Sequence, residues 1–340
     1  MHIIVALIII FIFQSAKVDE ITYADSHGPI SLMGEHIHKK NEYMFSYRLM
    51  KMQMNDLQQG YKKISLNKAM SSPNGAGDSS GTYMNAPDRM NMEMHMFGAM
   101  YAPSDSFTLM FMGSYNLKEM TQKRMPMSGG SKFDVNSSGF GDVRTTLLFK
   151  TYESKDWKNH LGFGLSLPTG SINKRDTTPM SNDTRLGYGM QNGTGTYDSY
   201  IFFNNLNEFG KFKLGEQIYF KTPVSGKNDY GYKYGKEIDL NIWMSYRFFD
   251  FLSSSFKVNY HYKGKINGSD NEMNKRMSPA LDSYNHGSQK INLGFGINFI
   301  SNQKFLKNNR LAIELIIPVY QKYKGIQMSE NFRFVIGWQY

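Results

Sequence analysis

Apolar and polar side chains alternate at every second position over most of the chain beyond residue 42. The stretch from Phe332 to Tyr340 shows this most clearly, because aromatic or isoleucine side chains fill every second position and the last residue is aromatic. A period of two places successive side chains on opposite faces of an extended strand. Twelve such segments are present, at residues 43–54, 90–101, 106–118, 140–152, 160–167, 196–204, 211–221, 236–248, 252–263, 290–300, 310–320 and 332–340. The pattern therefore predicts an all-β protein.

The connections between these segments are long and short in turn. The long ones are residues 55–89, 119–139, 168–195, 222–235 and 264–289, and the short ones are residues 102–105, 153–159, 205–210, 250–251 and 301–309. Outer-membrane barrels have long outer loops and short periplasmic turns. An open sheet edge in lipid would leave backbone groups unpaired. We therefore expect a single transmembrane antiparallel up-and-down β-barrel of about twelve strands over residues 43–340, in the bacterial outer membrane. The edge of a soluble sandwich is the alternative for one such strand.

The first 42 residues do not follow the alternation. Residues 3–13 form an unbroken apolar run, which is too short to cross a bilayer as a helix and is typical of a secretory signal peptide. Ala16 and Ala24 both offer cleavage positions, and we assign residues 1–24 to the signal peptide. Residues 25–42 are polar and rich in His, and we expect them to form a periplasmic segment at the barrel mouth.

Composition narrows the classes of protein. The chain has no Cys, which excludes disulfides, thiolate metal sites and Cys nucleophiles. No internal apolar run is long enough for a transmembrane helix. The mean hydropathy of −0.48 is compatible with a barrel, because its lumen and loops are polar. The net charge of +10 comes from scattered basic residues, so we expect contact with lipopolysaccharide phosphates and no nucleic-acid partner.

Two motifs resemble a known group. Residues 139–143 (GFGDV) and 161–170 (LGFGLSLPTG) are similar to the outer-membrane barrels of the MetA-pathway of phenol degradation, a transporter family distantly similar to long-chain fatty-acid transporters. Residues 27–50, 94–103 and 193–200 resemble a Met/His-rich subset of that family. The resemblance implies a barrel that passes small, often hydrophobic or aromatic solutes. It carries no binding residues over to this chain.

Methionine is the most unusual feature of the composition. The chain has 24 Met, and they are concentrated in residues 33–127. Thioether and imidazole are ligands for copper(I). The candidate metal ligands before the first strand are His27, Met33, His36 and His38. A second group would place Met50, Met52, Met54, Met110 and Met112 in the lumen near Glu93 and His95. The alternative is that Met fills an apolar face, and we assign Met90, Met92, Met94 and Met96 to the lipid face on that basis.

Charged residues of both signs are expected inside the barrel. They are Arg48, Glu93, His95, Asp142, Arg144, Glu237, Asp239, Arg247, Lys257 and His261. Mixed charge can line a narrow pathway for solutes. It can equally form a salt-bridged filling that makes the barrel solid, and the sequence leaves both readings open.

An outer-membrane lipid hydrolase is the minor alternative. His286 and Ser288 have the His-x-Ser spacing of outer-membrane phospholipases, but no third group that would orient the base can be named. We therefore predict a protein that is not an enzyme and has no cofactor, apart from the copper alternative. The strand from Phe332 to Tyr340 resembles the signal that the barrel-assembly machinery reads, so this machinery and the outer-membrane lipids are the expected partners.

Overall fold

The computed structural model describes residues 23–76, 81–301 and 309–340. Its strands are β1 (Tyr43–Gly60), β2 (Lys62–Ile64), β3 (Asn85–Ser104), β4 (Phe107–Arg124), β5 (Lys132–Phe140), β6 (Val143–Glu153), β7 (Trp157–Leu167), β8 (Arg175–Thr178), β9 (Ser181–Arg185), β10 (Asp198–Phe209), β11 (Phe212–Pro223), β12 (Tyr232–Lys233), β13 (Glu237–Phe249), β14 (Leu252–Lys263), β15 (Asn267–Gly268), β16 (Ser288–Ile300) and β17 (Arg310–Gln339). The helix α1 (Leu66–Met70) and 3-10 turns at Pro126–Ser128, Tyr188–Met190, Pro279–Leu281 and Ser283–Asn285 lie in the loops.

None of the helices in the described ranges is long and apolar enough to cross a membrane.

The long strands close into one antiparallel barrel. Each strand in the series β1, β3, β4, β6, β7, β10, β11, β13, β14, β16 and β17 pairs with the next, and β17 pairs with β1. Strands β5 and β6 together form one pass of the barrel. Strand β4 pairs with β6 through residues 107–112 and with β5 through residues 115–123. The predicted fold class is therefore confirmed.

Strand β17 makes two passes of the barrel. Residues 310–323 pair with β16, residues 326–339 pair with β1, and Gly325 between them has a φ of 70°. The two ends meet, since the Trp338 indole donates a hydrogen bond to Asn309 Oδ1 at 2.8 Å. The barrel thus has the twelve passes that the sequence predicts. The last pass begins at residue 326 and not at Phe332, because Ile326 and Met328 continue the inward alternation into the outer loops.

The connections also alternate as predicted. Short turns join β3 to β4, β6 to β7, β10 to β11 and β13 to β14 at the end of the barrel where residues 43 and 340 lie, and β16 ends and β17 begins at this same end. The outer wall is apolar, with exposed side chains that include Phe149, Phe163, Ile242, Ile297 and Val319. A closed barrel with such a belt belongs in lipid, so this is a bacterial outer-membrane protein.

Residues 1–22 of the predicted signal peptide lie outside the described part of the chain, and the signal peptide stays a prediction. Tyr23 and Ala24 are described. The Ala24 N–H donates to the Asp250 carbonyl at 2.9 Å, and the Arg247 guanidinium lies 3.9 Å from the centre of the Tyr23 ring.

Two glycines of β7 make room for large side chains inside the barrel. A Cβ atom at Gly162 would lie 2.1 Å from the Phe202 ring, and one at Gly164 would lie 2.1 Å from the Tyr200 ring. The Tyr200 hydroxyl is 2.8 Å from Thr146 Oγ1. The glycines of the LGFGLSLPTG motif are therefore needed for close packing of the wall.

Gly164→Val is expected to destabilise the barrel by about 1–3 kcal/mol, because the new side chain overlaps the Tyr200 ring. The measurement is the temperature at which the β-sheet circular dichroism signal is lost in detergent. Gly113→Val is the matched control, since a Cβ at Gly113 meets no atom within 4 Å. Equal melting temperatures for the two variants would contradict this account of β7.

Candidate functional site

Residues 23–42, which we call the plug, cross the lumen at the short-turn end. The plug starts beside the β13–β14 turn, where Ala24 meets Asp250. It leaves beside the β3–β4 turn, where the Asn41 N–H donates to the Ala102 carbonyl at 2.7 Å and the Lys40 N–H donates to Asp105 Oδ1 at 2.8 Å. The segment expected at the barrel mouth therefore lies inside the barrel.

Wall side chains satisfy the backbone carbonyls of the plug. Buried carbonyls need partners, and five strands supply them. The contacts are Arg310 to the Gly28 carbonyl at 2.5 Å, Arg48 to Leu32 at 3.0 Å, Gln217 to Met33 at 3.0 Å, His160 to Gly34 at 2.6 Å and Asn204 to Glu35 at 3.0 Å. Side chains from five strands of the wall thus bind the plug.

Ion pairs add to this attachment. The Ser31 N–H donates to Glu314 Oε2 at 2.9 Å, and Lys257 Nζ lies 2.6 Å from Glu314 Oε1 in a buried pair. Asp25 is held more loosely. Its buried carboxylate has no hydrogen-bond partner among the described groups and lies 3.9 Å from Lys213 Nζ and 3.8 Å from Arg247 Nη1.

Three donor atoms converge inside the plug. Glu35 Oε1 lies 3.4 Å from His27 Nδ1 and 3.0 Å from His36 Nδ1, and all three atoms are within 4.8 Å of one another. The three atoms are buried, and beyond these contacts with one another none has a hydrogen-bond partner among the described residues. The His36 Nε2 atom lies 3.1 Å from His38 Nε2. The predicted group of His27, His36 and His38 is thus brought together, with Glu35 added at its centre.

Burial sets the charge state of this cluster. Burial and the neighbouring His36 lower the pKa of His27 to about 3, so its imidazole is neutral at pH 7. Burial alone would raise the pKa of the Glu35 carboxyl, but His36 and His27 outweigh it and hold that pKa well below its usual range. The plug therefore offers a carboxylate and a neutral imidazole, which are the forms that bind metals.

Methionines cover one side of the lumen. Twelve of them, which we call the methionine wall, point inward from three neighbouring strands: Met44, Met50, Met52 and Met54 of β1, Met90, Met92, Met94, Met96 and Met100 of β3, and Met110, Met112 and Met120 of β4. Residues opposite each other on paired strands share a face. Six opposed pairs run along the wall: Met54 with Met90, Met52 with Met92, Met50 with Met94, Met44 with Met100, Met90 with Met120, and Met100 with Met110.

The predicted orientation of β3 is wrong. Met90, Met92, Met94 and Met96 face the lumen, and Glu93 and His95 face outward. On the outer face, Glu93 Oε1 lies 2.7 Å from Lys51 Nζ, and His95 Nδ1 lies 2.8 Å from the Tyr47 hydroxyl. Each of these two polar side chains therefore has a partner on the outer wall. Glu93 and His95 do not line the lumen.

A small cavity lies between the plug and the methionine wall. Glu35 and five methionines line it, namely Met33, Met44, Met100, Met110 and Met112. Arg48 also borders it and donates a hydrogen bond to Met33 Sδ at 3.2 Å. The acidic centre of the plug and the thioethers therefore share one space.

Charged residues also line the lumen. Arg48, Arg144, Glu237, Asp239, Arg247, Lys257 and His261 point inward as expected. Many of these are paired, with His261 Nδ1 at 2.9 Å from Asp239 Oδ1 and Lys263 Nζ at 3.4 Å from Glu237 Oε1. These pairs help to fill the lumen. They are also compatible with a solute pathway lined by charged residues.

Asp142 was expected inside the barrel with the other charged residues, but it contacts an outer loop. It lies between β5 and β6, where its carboxylate accepts hydrogen bonds from the Gly170 N–H and the Thr194 N–H, each at 2.9 Å. The GFGDV and LPTG motifs therefore meet, and Asp142 fixes the outer loop after β7.

The outer loops fold over the other end of the barrel. Arg185 Nη2 and Asp270 Oδ2 form a buried pair at 2.6 Å between two loops. His286 lies half-buried beneath them, edge-on to Tyr188 at 5.0 Å between ring centroids, and desolvation of its ring lowers its pKa to about 3. No hydrogen bond joins His286 to Ser288 in the described part of the chain, so the geometry gives no support to a hydrolase.

Comparison with known proteins supports the fold. No family model matches the chain, and no curated protein matches it. The COG4313 outer membrane channel from Pseudomonas putida F1 has a TM-score of 0.60 and 12% identity, over 90% of this chain and 97% of that chain. A Pseudomonas aeruginosa FadL homologue has a TM-score of 0.38 and 10% identity, over 88% of this chain and 89% of that one. The transport unit of the autotransporter AIDA-I from Escherichia coli has a TM-score of 0.48 and 11% identity, over 91% and 93%. The fold is therefore one that an outer-membrane channel uses, and the resemblance to the MetA-pathway family stays a prediction.

Proposed function

We propose that the protein is a gated outer-membrane channel for small solutes, in which the plug closes the periplasmic end. The observation that carries this proposal is the course of residues 23–42, which cross the lumen while wall side chains bind their carbonyls. A segment held by hydrogen bonds and a few ion pairs can be released without unfolding the strands, because the strand ladders do not depend on it.

The lumen chemistry suggests which solutes pass. The lumen presents polarizable thioethers on β1, β3 and β4, together with charged groups that are mostly paired. Small solutes with an apolar or aromatic part fit such a surface better than large polar ones. The solute class, the assembly signal in residues 332–340 and the lipopolysaccharide contacts remain predictions.

Removal of the plug is expected to open the channel. Wild-type protein and a variant lacking residues 25–42 are compared in planar bilayers, and we expect rare, brief openings for the wild type and sustained conductance for the deletion. Heat-modifiable migration on gels serves as the control for a folded barrel. Equal conductance, or no conductance from either folded protein, would refute the gated channel.

A further inference from the structure

The donor cluster inside the plug has the residue types and the close spacing of a metal site, with all three ligand atoms within 4.8 Å of one another. In a tetrahedral site with bonds of about 2.0–2.1 Å, neighbouring nitrogen and oxygen ligands lie roughly 3.3–3.4 Å apart. Glu35 Oε1 is 3.4 Å from His27 Nδ1 and 3.0 Å from His36 Nδ1. Among the described groups, no hydrogen bond satisfies this carboxylate oxygen or the two imidazole nitrogens beyond their contacts with one another, and a buried set of this kind is costly unless something else satisfies it.

We infer that His27, Glu35 and His36 bind a soft monovalent metal ion of the copper(I) and silver(I) class, which reaches them along the methionine wall. Thioether and imidazole together select copper(I) over the hard cations. The ion stays monovalent throughout, so no electron transfer is involved.

The exposure of the methionines argues against a simple apolar filling. A side chain that only fills space is expected to be buried on all sides. Met90 and Met120 at the outer end, and Met44, Met100 and Met110 at the plug end, are buried in this way. Between these two ends lie methionines that are only half-buried, so part of each residue stays exposed: Met50, Met52, Met54, Met92, Met94, Met96 and Met112.

The spacing of the wall suits transfer from one thioether pair to the next. Opposed residues on antiparallel strands have Cβ atoms about 4.5–5.5 Å apart, so two flexible Met side chains can bind one ion together. The pairs Met54–Met90, Met52–Met92 and Met50–Met94 follow one another down the wall. The cavity that contains Met33, Met112 and Glu35 then connects the wall to the plug.

The surrounding charge favours a monovalent ion over a divalent one. Arg310 Nη1 lies 3.8 Å from Glu35 Oε1, and Arg48 borders the cavity. These two guanidinium groups repel a divalent cation twice as strongly as a monovalent one, and Glu35 supplies only one negative charge.

Binding in the plug does not require a conducting pore, whereas passage of the ion rests on the proposed channel function. The two are therefore measured separately. Silver(I) is the probe, because it mimics copper(I) without redox chemistry. Full-length protein in detergent micelles is titrated with silver(I) by calorimetry, and silver(I) flux is followed in liposomes.

The variants separate ligands from packing. His27→Ala/His36→Ala is expected to lose more than the roughly 10- to 100-fold in affinity that removal of a supporting group costs. Met50→Leu/Met52→Leu/Met92→Leu/Met94→Leu keeps volume and apolarity, so we expect it to fold normally, bind fewer silver ions and pass them more slowly. His95→Gln on the outer wall is the matched control and should titrate like the wild type.

Unchanged silver affinity in the folded His27/His36 variant would overturn the plug site. Unchanged stoichiometry and flux in the folded leucine variant would show that the methionines only fill space and would overturn the route. Silver binding that needs both histidines, in a protein without any conductance, would support the site and refute the channel.

Discussion

A disulfide between the plug and the wall is expected to close the channel completely and reversibly. A Cβ built at Gly337 would lie 2.7 Å from Ile30 Cγ1. Because Cγ1 is one bond from Cβ, the two Cβ atoms are no more than about 4.2 Å apart, within the roughly 3.5–4.5 Å that a disulfide requires. The chain has no Cys of its own, so Ile30→Cys/Gly337→Cys can form one disulfide only.

The measurement is bilayer conductance before and after reduction. The oxidised variant should be silent, and a thiol reductant should restore the openings of the wild type. Each single cysteine variant is a control, because it carries the same change in packing without the crosslink. Conductance of the fully oxidised double variant at the wild-type level would show that residues 23–42 do not gate the pore.

Much of the fold could be predicted because a barrel wall separates two environments. Lipid requires apolar side chains at every second position, and the alternation of long and short connections fixes which end of each strand is outside. Strand ends were harder to predict. Beyond the lipid, β5 and the first residues of the last pass of β17 lie among the outer loops, so their sequence no longer has an apolar outer face. Ile326 and Met328 illustrate this, since they pack inward against loop residues.

The orientation of β3 could not be read from polarity alone. Met and polar residues alternate there, and the usual rule of apolar outside and polar inside assigns Met to lipid. In this barrel the Met side chains of β3 face the lumen instead, where the inward faces of the neighbouring strands β1 and β4 are also rich in Met. Phe97 and Tyr101 carried the correct signal. They share the parity of His95, and Phe97 is 53% exposed on the outer wall.

The donor cluster was predictable in part. The His-x-His pattern and His27 pointed to one site, and the structure brings these three residues together. Glu35 was missed, although it directly precedes His36, because its place depends on how the plug turns across the lumen. The Met33 sulfur accepts a hydrogen bond from Arg48, and Met33 lines the cavity beside the cluster. The course of an irregular segment depends on its partners in the wall, and the local sequence does not determine it.

Loss of Arg310 is expected to have the largest effect of any single change at the plug. Arg310 is 1% exposed and donates to the Gly28 carbonyl, to Asn298 Oδ1 and to Gln339 Oε1. Arg310→Met keeps most of the side-chain volume but leaves these acceptors unpaired, and it removes a cation 3.8 Å from Glu35. Breaking a buried charged network of this kind typically costs about 3–5 kcal/mol.

The expected result is a lower melting temperature together with a higher open probability, because Arg310 joins the plug to two strands of the closed barrel. Arg247→Met is the matched control. Its guanidinium is 3.8 Å from Asp25 Oδ1 and stacks on Tyr23, so it also touches the plug, but its side chain is 18% exposed. We expect its loss to cost less than the loss of Arg310, because Lys213 Nζ remains 3.9 Å from the Asp25 carboxylate. Equal melting temperatures and equal open probabilities for the two variants would contradict this account. They would show that overall charge attraction holds the plug in the barrel and that the specific hydrogen bonds of Arg310 do not.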